Sequence, residues 1–184
     1  MRRKLSLMFL ATLLLLMAAC SSPPDTASDA RPLGNITATP RECGLISANA
    51  IQIATGFKDY RAIGTRMSGG RQFASCSVVN GLALEGELGL VIKVHEPSPV
   101  SPEGLENTKV ATGGNDLPAG LRPGFASRRK DATGQVIDFV YGWTPDYQRL
   151  LSIEVTEGAP GRDSLADAVE FFRQLKPLLL TSSR

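Results

Sequence analysis

The stretch that decides the fold is "GFASRRKDATGQVIDFVYGWTPDYQRLLSIEVT", residues 124–156. Its apolar residues alternate with polar or small ones, which is the period of a strand and not of a helix. Phe125 to Lys130, Gln135 to Trp143 and Gln148 to Thr156 read as three consecutive strands. Asp131-Ala132-Thr133-Gly134 and Thr144-Pro145-Asp146 supply the turn chemistry between them. Ile137, Phe139, Tyr141 and Trp143 share one face of the middle strand, and Leu151, Ile153 and Val155 share one face of the next.

Upstream, Ala48 to Thr55 reads as a helix with Ser47 as N-cap and Gly56 as a left-handed stop. A glycine-rich loop follows. A strand near Phe73 to Val79 then meets Asn80-Gly81, a strong short hairpin signal, with Leu82 to His95 as the return strand. Gly86 and Gly89 in that return read as a bulge or bend. Residues 96–124 carry five prolines (97, 99, 102, 118 and 123), with a short helix over Glu103 to Val110. Downstream, Leu165, Ala168, Val169, Phe172 and Leu175 fall at helical spacing from about Ser164 to Lys176. Asp163 is the expected N-cap, and Pro177 the expected end. Hairpin-ordered strands with helices at either end predict an α+β fold, an antiparallel sheet of about five strands with the N- and C-terminal helices packed on one face.

The N-terminus carries an address. Arg2, Arg3 and Lys4 precede an apolar run from Leu5 to Met17, 13 residues counted from 5 to 17. That is shorter than the roughly 20 residues needed to span a bilayer and fits a secretory signal. Met17-Ala18-Ala19-Cys20 resembles a bacterial lipobox. The resemblance implies a signal peptide over 1–19, a thioether diacylglycerol on Cys20 and acylation (a palmitate, for example) of the new amino terminus. Two or more acyl chains anchor stably where one does not. The competing reading is a plain signal peptide cut after Ala-x-Ala, with Cys20 incidental.

Three cysteines are an odd number for an exported protein. If lipid takes Cys20, Cys43 and Cys76 remain as a pair for a disulfide in an oxidising envelope. A structural zinc site is the competing use, but the chain has one histidine and no C-x-x-C.

Residues 21–40, "SSPPDTASDARPLGNITATP", have four prolines and few apolar side chains, so they read as a flexible tether with a reach of roughly 25 Å. A single globular domain is expected over 41–178, with 179–184 as a tail. The full chain has 20 basic and 18 acidic side chains. Removing Arg2, Arg3 and Lys4 leaves 17 against 18, a net charge near −1. Nothing there calls for a nucleic-acid partner.

"PRECGLIS" followed about thirty residues later by "ASCSVVNG", behind a lipobox and a proline-rich tether, resembles the secreted lipoproteins of high-GC Gram-positive bacteria grouped as domain of unknown function 3558. Pro40, Cys43, Leu45 and Ile46 match the family's P-x-x-C-x-L-L/I opening, and Cys76 its second cysteine. Val78 stands where that family has tryptophan. The resemblance implies an envelope lipoprotein with a disulfide and transfers no reaction, cofactor or catalytic residue.

A catalytic triad would need His95, the one imidazole, as its base. It ends a predicted strand beside Glu96-Pro97, no G-x-S-x-G elbow occurs, and it reads as a surface histidine. Glu85 and Glu87 share a strand face and read as solvated. Phosphate-binding glycine motifs are absent. Two features favour binding. Arg128-Arg129-Lys130 could meet anionic head groups, against an ordinary solvated turn. Phe139, Tyr141 and Trp143 could floor a ligand pocket, against simple core packing. Together these give a non-catalytic envelope protein on the outer face of the cytoplasmic membrane, with a protein, small apolar or glycan partner met by loops 96–124 and the open sheet face. The alternative is a lipid or small apolar ligand carrier with a cavity between helices and sheet.

The cysteine arithmetic makes a prediction. Closing a loop of 33 residue steps (76 minus 43) stabilises by about 3–4 kcal/mol. Peptide mapping of exported protein should recover Cys43 crosslinked to Cys76, and reduction should lower the urea midpoint accordingly. Free thiols at both positions would contradict it.

Overall fold

The computed structural model describes residues 28–65, 74–82, 86–156 and 158–181. The signal peptide, Cys20, Phe73, Glu85 and residues 182–184 lie outside the described residues. The architecture is α+β, with three helices and a seven-stranded antiparallel sheet on which the C-terminal helix packs.

In chain order, β1 (Arg41–Glu42) and β2 (Ile46–Ser47) pair with each other and lead into α1 (Ala48–Thr55). Then come β3 (Tyr60–Thr65), β4 (Ser75–Asn80), β5 (Leu88–His95), α2 (Pro102–Ala111) and β6 (Asn115–Asp116). The chain finishes with β7 (Gly124–Lys130), β8 (Val136–Trp143), β9 (Leu150–Val155) and α3 (Ser164–Leu179). The strands lie in the order β3-β4-β5-β9-β8-β7-β6. The three strands of the opening stretch form as expected, and β9 also pairs with β5 to join the two halves of the sheet.

Seven strands replace the five expected. β3 offers the core only Tyr60 and Ala62, so its alternation is too weak to read, and β6 has two residues. Gly81 takes the left-handed φ of +74° that a turn demands, but the hairpin is longer than two residues. The Asn80 N–H donates to the carbonyl of Glu87 at 2.8 Å, and β5 starts only at Leu88. Gly86 and Gly89 serve close approach. A Cβ on Gly86 would lie 2.0 Å from the Asn80 carbonyl oxygen, and one on Gly89 2.4 Å from the Phe57 ring. The bulge itself falls on β4, between Val78 and Val79.

One sheet face carries the main core. Cys76, Ile92, Ile153, Val140 and Ala126 form a row of register partners across five strands. α3 lays Ala168, Phe171, Phe172 and Leu175 over it, and α1 adds Ala50, Ile51 and Ala54 to the same cluster. The fit is tight at Gly142, where a Cβ would stand 2.1 Å from the Phe172 ring. Fully burying a phenylalanine contributes roughly 1.5–3 kcal/mol. The aromatic line of β8 points the other way, away from α3. Ring bulk between helix and sheet therefore comes from the helix.

α3 begins as expected, with the Asp163 carboxylate accepting from the N–H groups of Leu165 and Ala166. It does not stop at Pro177. Proline forfeits one backbone bond, but Leu175 and Leu180 are buried, and the Leu180 N–H donates to Lys176 at 2.9 Å. The expected tail from 179 is thus partly structural, and Arg149 donates to the Thr181 carbonyl. α2 extends the expected 103–110 helix by one residue at each end, with Ser101 as its cap and Pro102 in its first turn.

The expected tether is a second correction. Leu33 and Ile36 are buried in the core cluster. The Asp29 N–H donates to Gly161, the Ile36 N–H to the Gln174 side chain, and Gln174 back to Gly34. Residues 29–36 form a strap along α3. Two apolar side chains fix it, too few to lift the composition of the segment.

The start of α3 is held by a buried ion pair. Asp138 is fully buried and accepts from Arg128 Nε at 2.6 Å and Nη2 at 3.0 Å, and from the Ser164 hydroxyl. Arg128 is about half exposed and also reaches Asp163 at 3.3 Å. The two ends are therefore unequal. Arg128→Ala strands a carboxylate in the core and should cost about 3–5 kcal/mol, whereas Asp138→Asn leaves a guanidinium that reaches water and should cost roughly half as much. Chemical denaturation measures both, and equal losses would contradict the asymmetry.

Candidate functional site

The face turned away from α3 changes character along its rows. One row of register partners runs Thr65, Ser75, Lys93, Ser152, Tyr141 and Phe125. The next runs Ile63, Ser77, Val91, Glu154, Phe139 and Ser127. The face is thus largely polar over β3–β5 and aromatic over β7 and β8.

Phe125 anchors the aromatic end. It is fully buried and meets Phe139, Tyr141 and Trp143 edge-on, with ring centroids 6.1, 5.6 and 6.3 Å away. α2 packs on β7, and Ser127 donates to the Thr112 carbonyl at 2.7 Å just past that helix. At the last residue of β8, Trp143 is half-buried and also stacks on Tyr147, with centroids 6.1 Å apart and planes 20° from parallel. Tyr147 is 38% exposed.

The turn between β8 and β9 sets that stack. Thr144 donates to Asp146 at 2.5 Å and accepts from the Arg149 N–H at 3.0 Å, while Asp146 accepts from the Gln148 N–H at 3.1 Å. The Thr144 hydrogen bond, foremost, holds the Asp146 carboxyl below its usual range. Within the turn Tyr147 has φ +56°. A left-handed backbone costs a residue with a Cβ roughly 1–2 kcal/mol, so glycine or asparagine would sit there more cheaply.

The expected site residues divide. Phe139, Tyr141 and Trp143 share the aromatic face. Arg129 lies over the Phe139 ring at 5.6 Å and reaches Glu154 at 4.0 Å. Arg128 is drawn to the opposite face by Asp138, which splits the basic trio, and Lys130 remains exposed at the hairpin end. Cys43 and Cys76 are bonded to each other. His95 ends β5 half-buried, its pKa lowered by burial and then by Lys93. Glu87 is exposed just before β5. Among the described residues no group of three His, Cys, Asp or Glu side chains is placed to hold a metal ion. Tyr147 escaped sequence reasoning because a strained backbone leaves no mark in residue type.

A cleft of about 400 Å³ lies elsewhere, between the strap and the start of α3, lined by Asp29, Arg31, Leu33, Arg162, Asp167 and Glu170 among others. Its buried cation is already committed. Arg162 grips Asp167 through two hydrogen bonds of 2.8 and 2.6 Å and donates to the carbonyls of Asp29 and Arg31. Compared with family models, curated proteins and solved structures, the chain matches none.

The phenols report on how dry the face is. Burial first, then Glu154, raises the Tyr141 pKa, with Arg129 opposing. Tyr60, on the other face, is pushed up to about 12 by burial and then by Glu42. An acid whose folded pKa is raised stabilises fully below its unfolded value of 10, and that contribution fades as pH rises through 10 toward the folded value. Absorbance at 295 nm should show Tyr141 and Tyr60 ionising later than pH 10, each assigned by its Phe variant. Ionisation of Tyr141 at 10 would mean that the aromatic face is wet.

Proposed function

We propose that this chain is a lipid-anchored extracytoplasmic binding module without catalytic activity, which holds a protein partner of the cell envelope on the Trp143–Tyr147 end of the aromatic face. One observation carries the reading. An exposed tyrosine is kept in a left-handed backbone so that its ring stacks on a tryptophan. Local strain of this kind collects at functional positions, and tyrosine and tryptophan are favoured anchors at protein interfaces. The expected 96–124 contact region contributes α2, which packs on β7, the strand that carries Phe125.

The anchor belongs to the same proposal. It comprises diacylglycerol on Cys20, a place on the outer face of the cytoplasmic membrane, and kinship with the domain of unknown function 3558 lipoproteins. The Cys43–Cys76 bond supports the proposal, since it leaves Cys20 as the cysteine available for lipid. A small-ligand carrier is less favoured because Phe171, Phe172, Ile51 and Ile153, all fully buried, fill the layer between helices and sheet.

The test is a photo-crosslinking amino acid at position 147 in the native envelope, with Val110, 72% exposed on α2, as the control position. A discrete adduct at 147 and not at 110 is expected. Trp143→Ala should weaken capture about thirty-fold, the loss of one interface anchor of roughly 2 kcal/mol. Tyr147→Gly should keep the melting temperature within a few degrees, because relief of φ offsets the lost stack, yet abolish capture. Adducts at both positions or neither, or a small molecule retained in native mass spectrometry, would overturn the reading.

A further inference from the structure

The strap has a direction, and it points at one end of the molecule. Asp29 bonds to Gly161 and Arg162, just before α3 begins, and Ile36 bonds to Gln174 near its other end. The chain therefore enters the described structure at the pole where α3 starts. The same pole holds the β7–β8 turn, through Arg128 and Asp163, and the β4–β5 turn, through Gln135 and Glu87. The opposite pole holds the β8–β9 turn and the end of α3, joined by Arg149 and Thr181.

The starting pole carries apolar side chains where solvent should favour polar ones. Leu82 in the β4–β5 turn is 76% exposed, and Leu88 and Val136 are 39% and 38% exposed. Leu88 and Val136 begin β5 and β8, the two neighbours of β9. By register they lie level with each other on the α3 side, two strand spacings or about 10 Å apart. The charges here carry no cationic excess, with six basic side chains against eight acidic ones. Arg31 pairs with Asp29, Arg162 with Asp167, Arg128 with Asp138 and Asp163, and Arg129 with Glu154. Lys58 and Lys130 stand against Asp59, Glu87 and Asp131.

We infer that this pole, with its apolar rim of Leu82, Leu88 and Val136, rests on the lipid surface to which Cys20 is attached. The inference depends on the proposed lipidation of Cys20. Eight residue steps separate Cys20 from Ser28 (28 minus 20), and no conformation stretches them beyond about 28 Å. α3 alone, with 16 residues, is about 24 Å long. Turning the opposite pole to the membrane would need the link drawn almost taut along the whole domain. Resting on the starting pole costs nothing in reach and shields three apolar side chains. Because basic groups do not outnumber acidic ones at this pole, the orientation draws nothing from anionic lipid and rests on the apolar rim. The Trp143–Tyr147 end is left facing outward, toward the envelope.

The test uses the lipidated mature protein on vesicles whose head groups carry a nitroxide quencher, with a fluorophore at Val136→Cys or at Leu178→Cys. Leu178 is 54% exposed in the last turn of α3, about 21 Å along the axis from Ser164. Quenching should be at least threefold stronger at 136 than at 178, on phosphatidylcholine and on phosphatidylglycerol vesicles alike, in low and high salt. Equal quenching, or stronger quenching at 178, overturns the orientation. A preference confined to anionic vesicles overturns it too, since charge would then replace the apolar rim. The mass of the N-terminal peptide from the same sample separates the two failures: absence of diacylglycerol on Cys20 removes the anchor, and the orientation with it.

Discussion

The structure depends on one fit, the Phe172 ring of α3 against the bare backbone of Gly142. That contact sets which face of β8 turns to the helix. Side chains in a strand alternate with period two, so a slip of one residue would present Phe139 and Tyr141 to α3 in place of Val140 and Gly142. The rings of Phe171 and Phe172 already fill that layer. Register is therefore enforced by volume, and the row from Cys76 to Ala126 inherits it through successive pairings.

Polar groups then fix α3 along its own axis. Asp138 holds the Ser164 hydroxyl and Arg128, and Arg128 reaches the capping residue Asp163. One turn on, Arg162 and Asp167 form a second buried pair that also clamps the strap carbonyls. Buried pairs of this kind add little net stability. Here they say where the helix starts and where the strap lies, which apolar contacts alone would leave open to sliding.

Much of this was legible in the sequence, for reasons that differ by element. β7, β8 and β9 were readable because their alternation is strong and turn residues bracket them. α1 and α3 were readable from caps and spacing, including Gly56 and Asp163. β3 was hidden because Ala62 and Gly64 give its core face too little apolar weight, and the strap because it lies within the proline-rich, polar 21–40 segment and brings to it only Leu33 and Ile36 as large apolar side chains. Residue types in β8 mark two faces without saying which one α3 covers. Glycine at 142 held that information, but only beside a ring 30 residues away. The candidate site was half legible. Trp143 and Tyr141 stand out by type, whereas Tyr147 matters through a backbone angle.

The borders of the sheet have a further consequence. One border strand, β6, is two residues long. The other, β3, carries Arg61, and its Gly64 lies against Cys43, whose Cβ would be 3.0 Å from a side chain placed there. Long, flat, uncovered borders are what let sheets of separate molecules zip together. A protein held on a membrane, as proposed for this chain, would meet its own copies often. The cystine over β3 and the stub at β6 keep such neighbours from growing into a shared sheet.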